Sequence, residues 1–97
     1  MLDDQALATA LAELPDWTVQ ERALVRAFRR RDWRDAIAFV NVVAEEADRR
    51  DHHPDISITG YRNVTVRLTS HDAGGVTKRD VNLARRIDEL AAESRAG

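Results

Sequence analysis

The sequence predicts an α+β fold of two layers: a four-stranded antiparallel sheet with three helices packed on one face, in the order α-β-β-α-β-β-α. Three observations carry this expectation. Apolar residues recur at helical spacing near both ends and in the middle of the chain. Two segments of strand-like alternation each double back over a short polar break, which favours antiparallel hairpins. The strands have one apolar face, so the helices should cover that face only.

The first helix is expected over about Asp4 to Leu14, where Leu7, Ala10, Leu11 and Leu14 share a face and Pro15 ends the run. A hairpin follows: Trp17-Thr18-Val19, polar Gln20-Glu21-Arg22, then Ala23 to Arg29, where β-formers alternate with Arg26. Asp32 can cap a second helix, with Asp35 as the acid of a capping box. That helix runs to about Arg50, with a broad stripe of Trp33, Ala36, Ile37, Val40, Val43, Ala44 and Ala47. In the second hairpin Ile56 and Ile58 alternate with Ser57 and Thr59, Gly60 to Asn63 turn the chain, and Val64, Val66 and Leu68 alternate with Thr65, Arg67 and Thr69. Gly74-Gly75 breaks the pattern. Thr77 and Asp80 form a second capping box, and the last helix aligns Leu83, Ala84, Ile87, Leu90 and Ala91.

Size and charge narrow the function. The chain has 97 residues, which fits one domain spanning 1–97. Fifteen basic and seventeen acidic residues give a net charge of −2, which argues against nucleic acid as a partner. There is no cysteine, so disulfides, Cys-type zinc sites and thiol catalysis are excluded. Met-Leu-Asp-Asp-Gln at the start has no signal-peptide core, and the longest apolar run, Ala36 to Val40, is too short for a bilayer. A soluble, cytoplasmic protein with no membrane association is expected.

The chemistry-bearing residues cluster at chain breaks. His52 and His53 follow the second helix and His71 follows the fourth strand; imidazole titrates near neutral pH. Pro54 holds His53 extended, so the side chains of His52 and His53 should point to opposite sides. Asp80 is explained by capping alone, and Asp48 by a solvated helix position one turn before His52. Arg49, Arg50, Arg85 and Arg86 read as solvated faces. Three histidines with Asp51 or Asp72 could also ligate zinc, although adjacent histidines are poor spacing for one ion and no H-x-x-x-H is present. Residue types and spacing leave an acid–base site, a metal site and no site all open.

A longer ordered pattern resembles one family. An acid, three residues, His-His-Pro, six residues, an aromatic, nine residues, His, eight residues and Asp are met here by Asp48, His52-His53-Pro54, Tyr61, His71 and Asp80. The segments Thr69-Ser70-His71-Asp72-Ala73-Gly74-Gly75 and Lys78-Arg79-Asp80-Val81-Asn82-Leu83-Ala84 fit the same pattern, as do Trp17 and Arg31-Asp32-Trp33 upstream. Over nearly its whole length the sequence resembles the pterin-4a-carbinolamine dehydratase family.

The resemblance implies His52, His53 and His71 as catalytic residues, with Asp80 supporting them. It implies that Asp51, His52, His53, Thr69, Ser70, His71 and Asp72 contact a pterin, and that Asp48 and Pro54 support the site. It implies a dehydration that uses no cofactor and no metal, in tetrahydropterin recycling, and a homodimer or homotetramer assembled through the sheet. Asp48 stands where the family usually has Glu, Ile56 where it often has Trp, and Ala73 where animal members have cysteine. The chemistry is compatible: loss of water from a carbinolamine needs only proton transfers, and imidazoles suit them. The alternative is a non-catalytic dimerisation or assembly module on the same fold.

Overall fold

The computed structural model describes residues 1–94. Its elements are α1 (Asp4–Ala12), β1 (Thr18–Gln20), β2 (Ala23–Arg29), α2 (Trp33–Arg49), β3 (Asp55–Thr59), β4 (Asn63–Leu68), a 3₁₀ turn (His71–Ala73) and α3 (Lys78–Ser94). The sheet is wholly antiparallel in the order β1-β2-β4-β3, as the α+β reading expects. The 3₁₀ turn was not anticipated from the sequence.

α1 starts because the Asp3 carboxylate accepts the Ala6 amide at 2.7 Å. It closes two residues earlier than the periodicity predicts: Glu13 and Leu14 donate to Ala10 and Leu11 in a tighter final turn before Pro15. Trp17 lies before β1 rather than in it. Its indole is buried edge-on against Phe28, and its N–H donates to Asp88 at 2.9 Å.

β1 and β2 are joined by Glu21 and Arg22, both with positive φ (49° and 64°), the twist of a two-residue primed turn without a glycine. Distant side chains hold it. Arg67 donates to the carbonyls of Gln20 and Glu21, and the Thr69 hydroxyl donates to that of Arg22. Leu24, Arg26 and Phe28 alternate on one face of β2. Arg26 is tolerated there because its guanidinium lies 4.2 Å above the Phe28 ring and pairs with Asp88 at 2.7 Å.

α2 departs from the expected stripe. Ala36, Phe39, Val43 and Ala47 face the core, Ile37 and Val40 are half-buried, and Trp33 and Ala44 are exposed. Phe39 takes the centre because its ring packs 5.0 Å from Phe28. Only half of the expected capping box forms. Asp32 accepts the Asp35 amide at 2.9 Å, but the Asp35 carboxylate turns to the Arg31 amide and the buried Arg30 guanidinium. Phe28 from β2, Val64, Val66 and Leu68 from β4, and Val81, Leu83, Ala84, Ile87 and Ala91 from α3 complete the core. The last helix therefore buries the face its periodicity predicts. The opposite sheet face carries rows such as Thr18, Val25, Arg67 and Asp55, which are mostly polar.

Candidate active site

The site forms where the end of α2, the end of β4 and the start of α3 meet. α2 closes on Arg50, and the next residue, Asp51, adopts a left-handed conformation with φ 50°. The Asp51 amide donates to Asp48 and the His52 amide to Ala47, both at 3.1 Å. This is the paired hydrogen-bond pattern that commonly ends a helix, with Asp at the position usually given to glycine. The sharp turn brings His52 beneath the first turn of α3, where the Arg79 guanidinium also donates to the Asp51 carbonyl at 3.1 Å.

His52 and His53 separate as the extended backbone requires. His52 is 8% exposed, and its Nε2 lies 2.5 Å from Asp80 Oδ1. His53 is exposed, with Nε2 3.0 Å from Asp48 Oδ1. Half-buried Pro54 then leads into β3.

Asp80 is fully buried yet well supplied with donors. Its Oδ2 accepts the Thr77 amide at 2.9 Å and the Ser70 hydroxyl at 2.9 Å. The expected capping box is again half-formed. Asp80 returns to the Thr77 amide, whereas the Thr77 hydroxyl engages Ser70 at 2.8 Å. A buried carboxylate needs such partners. With Asp80 ionised the carboxylate only accepts, which places the proton of the shared bond on Nε2 of His52 in that state. The other ring nitrogen, Nδ1, has no hydrogen-bond partner among the described residues and is free to exchange a proton with a ligand.

His71 opens the 3₁₀ turn that leaves β4. The loop is closed by an antiparallel bridge between Ser70 and Gly75, with amide-to-carbonyl distances of 3.0 and 3.3 Å. Gly74 sits within it at φ 75°, where a side chain is disfavoured. The His71 ring is exposed and makes no hydrogen bond among the described residues.

Asp51, His52, His53, Thr69, Ser70, His71, Asp72 and Arg79 line one cavity of about 370 Å³. That volume lies at the small end of the range typical of small-molecule sites. All seven residues expected to contact a ligand are on its wall. Asp48, Pro54 and Asp80 are not: Asp48 and Asp80 reach the site through His53 and His52. Arg79 is an addition. It looks like one more charge beside a helix cap in the sequence, and only its position immediately before Asp80 hinted at the site.

The polar groups on the wall differ in availability. The Thr69 hydroxyl is used on Arg22, and the Ser70 hydroxyl, 2% exposed, on Asp80. The carboxylates of Asp51 and Asp72 are exposed and have no partner among the described residues, so they can accept from the donor edge of a ligand. Among the described residues no three His, Asp or Glu side chains converge as a metal site. Nor is any helix long and apolar enough to cross a membrane.

Known proteins share both the sequence and the architecture. A relative from Thermomicrobium roseum, provisionally named a pterin-4-alpha-carbinolamine dehydratase, is 50% identical over 91 residues, covering 94% of this chain and 97% of its own length. One from Nocardia farcinica with the same provisional name is 50% identical, over 94% of this chain and 95% of its own. The crystal structure of a transcriptional coactivator/pterin dehydratase from Brucella melitensis superposes with a TM-score of 0.87 at 32% identity, over 93% of this chain and 97% of that one. A pterin dehydratase-like protein identified as a RuBisCO assembly factor in the alpha-carboxysome shares the fold alone. Its TM-score is 0.63 at 21% identity, over 77% of this chain and 86% of that one. The sequence model of the family described as pterin 4 alpha carbinolamine dehydratase matches residues 1–90, and this chain belongs to that family.

Proposed function

We propose that this protein dehydrates 4a-hydroxytetrahydropterin to quinonoid dihydropterin by general acid–base catalysis at His52, His53 and His71, as a step in tetrahydropterin recycling. The observation that carries the reading is the convergence of all three imidazoles on one cavity, with His52 held by a buried carboxylate, in a chain of this family.

The reaction breaks the C4a–O bond and forms the N5=C4a double bond. An imidazolium protonates the departing hydroxyl, which leaves as water. A neutral imidazole takes the N5 proton. The two transfers balance: the protein gains and loses one proton, and the acid and the base are left with exchanged protonation. Proton exchange with solvent resets them before the next turnover, so the step needs no oxidant, metal or bound cofactor. Each well-placed acid or base contributes about 10²–10⁴-fold. His52, with Nε2–H on Asp80, presents a basic Nδ1. His71 and His53 are reached by solvent and can be protonated between turnovers. Asp51 and Asp72 suit the amino and N–H edge of the pterin, and Arg79 suits its carbonyl.

The protein is proposed to act in the cytoplasm as a homodimer or homotetramer joined through exposed sheet edges, since the outer edge of a terminal strand such as β3 readily pairs with another chain. Light scattering at micromolar concentration tests this, and a monomer would remove it.

The decisive experiment follows the absorbance of freshly generated 4a-hydroxytetrahydropterin with and without the protein. Acceleration above the spontaneous rate, unchanged after chelator treatment, is the expected result. No acceleration by a folded protein would leave the assembly-module reading in its place, and restoration by zinc would favour a metal site.

A further inference from the structure

We propose that Ser70 is a positioning residue that fixes His52 and His71 relative to one another, acting through Asp80. The inference rests on the histidine reading above and adds to it a residue that never donates to the ligand.

Ser70 occupies a junction. Its backbone pairs with Gly75 and so closes the loop that carries His71. Its side chain points the other way, 2% exposed, and donates to Asp80 Oδ2 at 2.9 Å. The Thr77 hydroxyl, 2.8 Å from Ser70 Oγ, fixes the rotamer. Asp80 Oδ1 in turn holds His52 Nε2. The two histidine-bearing segments, 52–53 and 71–73, are thus connected by one residue and one carboxylate.

Helix capping does not explain this arrangement. Capping α3 requires only the Thr77 amide on Oδ2. The Ser70 hydroxyl comes from a different segment, ten residues earlier, and adds a donor from outside α3 to an oxygen that the Thr77 amide at 2.9 Å and the Thr77 hydroxyl at 3.5 Å also reach. With donors from two separate segments on Oδ2, the carboxylate plane is held from both sides, and Oδ1 stays aimed at His52. Free rotation would let His52 sample both tautomers and orientations. Hydrogen-bond partners that orient functional imidazoles fix tautomer and ring direction in this way.

Three variants of the full chain test the proposal: Ser70→Ala, Ser70→Thr and, as reference, His52→Ala. The readouts are kcat and KM for the carbinolamine and the ¹⁵N shifts of the His52 ring, which report its tautomer. In Ser70→Ala, kcat should fall roughly 10-fold, the lower end for partners that orient an imidazole. KM should stay nearly constant, because a ligand-contacting group is not removed. The single Nε2–H signature of His52 should give way to a tautomer mixture. Ser70→Thr, which keeps the hydroxyl, should restore both. Parent-like kcat and tautomer in folded Ser70→Ala would overturn the proposal. So would a loss of rate in both Ser70 variants with the tautomer unchanged, which would assign Ser70 to packing. If Ser70→Ala does not fold, Thr77→Val must show the same tautomer mixture, or the proposal falls. His52→Ala separates the two levels: if it is inactive while Ser70→Ala is parent-like, only the Ser70 role is lost. If His52→Ala retains the full rate, the histidine mechanism itself is wrong.

Discussion

His52 Nε2 and Asp80 Oδ1 lie 2.5 Å apart, although 28 residues separate them in the chain. The contact joins the turn after α2 to the first turn of α3 and makes one carboxylate both a helix cap and the anchor of an imidazole.

Asp80→Asn tests which of these roles matters. The asparagine oxygen can still accept from Thr77 and Ser70, so the cap survives. The amide nitrogen then faces His52 and donates to Nε2, which forces the proton onto Nδ1. The ring presents the wrong tautomer, as in the serine-protease case where an aspartate-to-asparagine change lowers kcat about 10⁴-fold. The expected outcome here is a folded protein with turnover clearly reduced by at least about 10-fold. Circular dichroism and steady-state rates check it; near-normal turnover would leave Asp80 a cap only.

Alanine at exposed His53 or His71 should leave the fold and its stability intact. His52→Ala removes a partner of buried Asp80 and should lower the melting temperature while the chain still folds, because none of the three belongs to the apolar core. The rate, after subtraction of spontaneous dehydration, should fall by roughly 10- to 10³-fold for each. His71→Ala and the double change at His52 and His53 should be the most damaging, and losses should combine non-additively. A folded variant lacking all three imidazoles that matches the parent rate would end the acid–base account.

Asp51→Asn separates turn geometry from ligand binding. Asparagine tolerates the left-handed backbone as well as aspartate does, so the melting temperature should hardly move. The exposed carboxylate is lost, so KM for the pterin should rise while kcat changes little. An unchanged KM would show that the Asp51 carboxylate does not contact the substrate.

Acid should destabilise the protein through Glu46. The Arg50 and Arg49 guanidinium groups hold its carboxyl below the ordinary range. The Arg31 amide and then the Arg30 guanidinium do the same for Asp35. A carboxyl depressed in the folded state adds stability that is fully present above its ordinary value, 4.5 for Glu46. That stability is lost as pH falls through the depressed folded value. Glu46→Gln should therefore be less stable than the parent at neutral pH, with the gap narrowing below about pH 5. Urea unfolding across this range measures it, and a gap independent of pH would contradict the assignment.

Much of this architecture was legible in the sequence because periodicity reports burial directly. The stripe of α3 and the alternation of β4 both return in the core. The α2 stripe was misjudged in detail because Phe39 and Trp33 both border the apolar arc, and Phe28, on a different strand, decides between them. The Glu21-Arg22 turn carries no glycine signal, since its conformation is supported by Arg67 and Thr69 from distant sequence. The candidate site was expected from the resemblance carried by an ordered motif. Of that motif the cavity wall gathers His52, His53 and His71, whereas Asp48 and Asp80 stand behind His53 and His52, and Pro54 and Tyr61 are not on the wall. Arg79 and the inward direction of the Ser70 hydroxyl were not legible. Both depend on how α3 docks against the turn after α2, which no local pattern encodes.

The hydrogen bond from the His52 amide to Ala47 is the last one of α2 and the first fixed point of the cavity. Fraying of that helix end would loosen the turn that places His52 against Asp80. On the proposed mechanism, the exchange rate of one backbone amide, that of His52, should track opening of the candidate site, because local openings govern such exchange. Any solute or partner that tightens the end of α2 should then slow that exchange without touching the cavity.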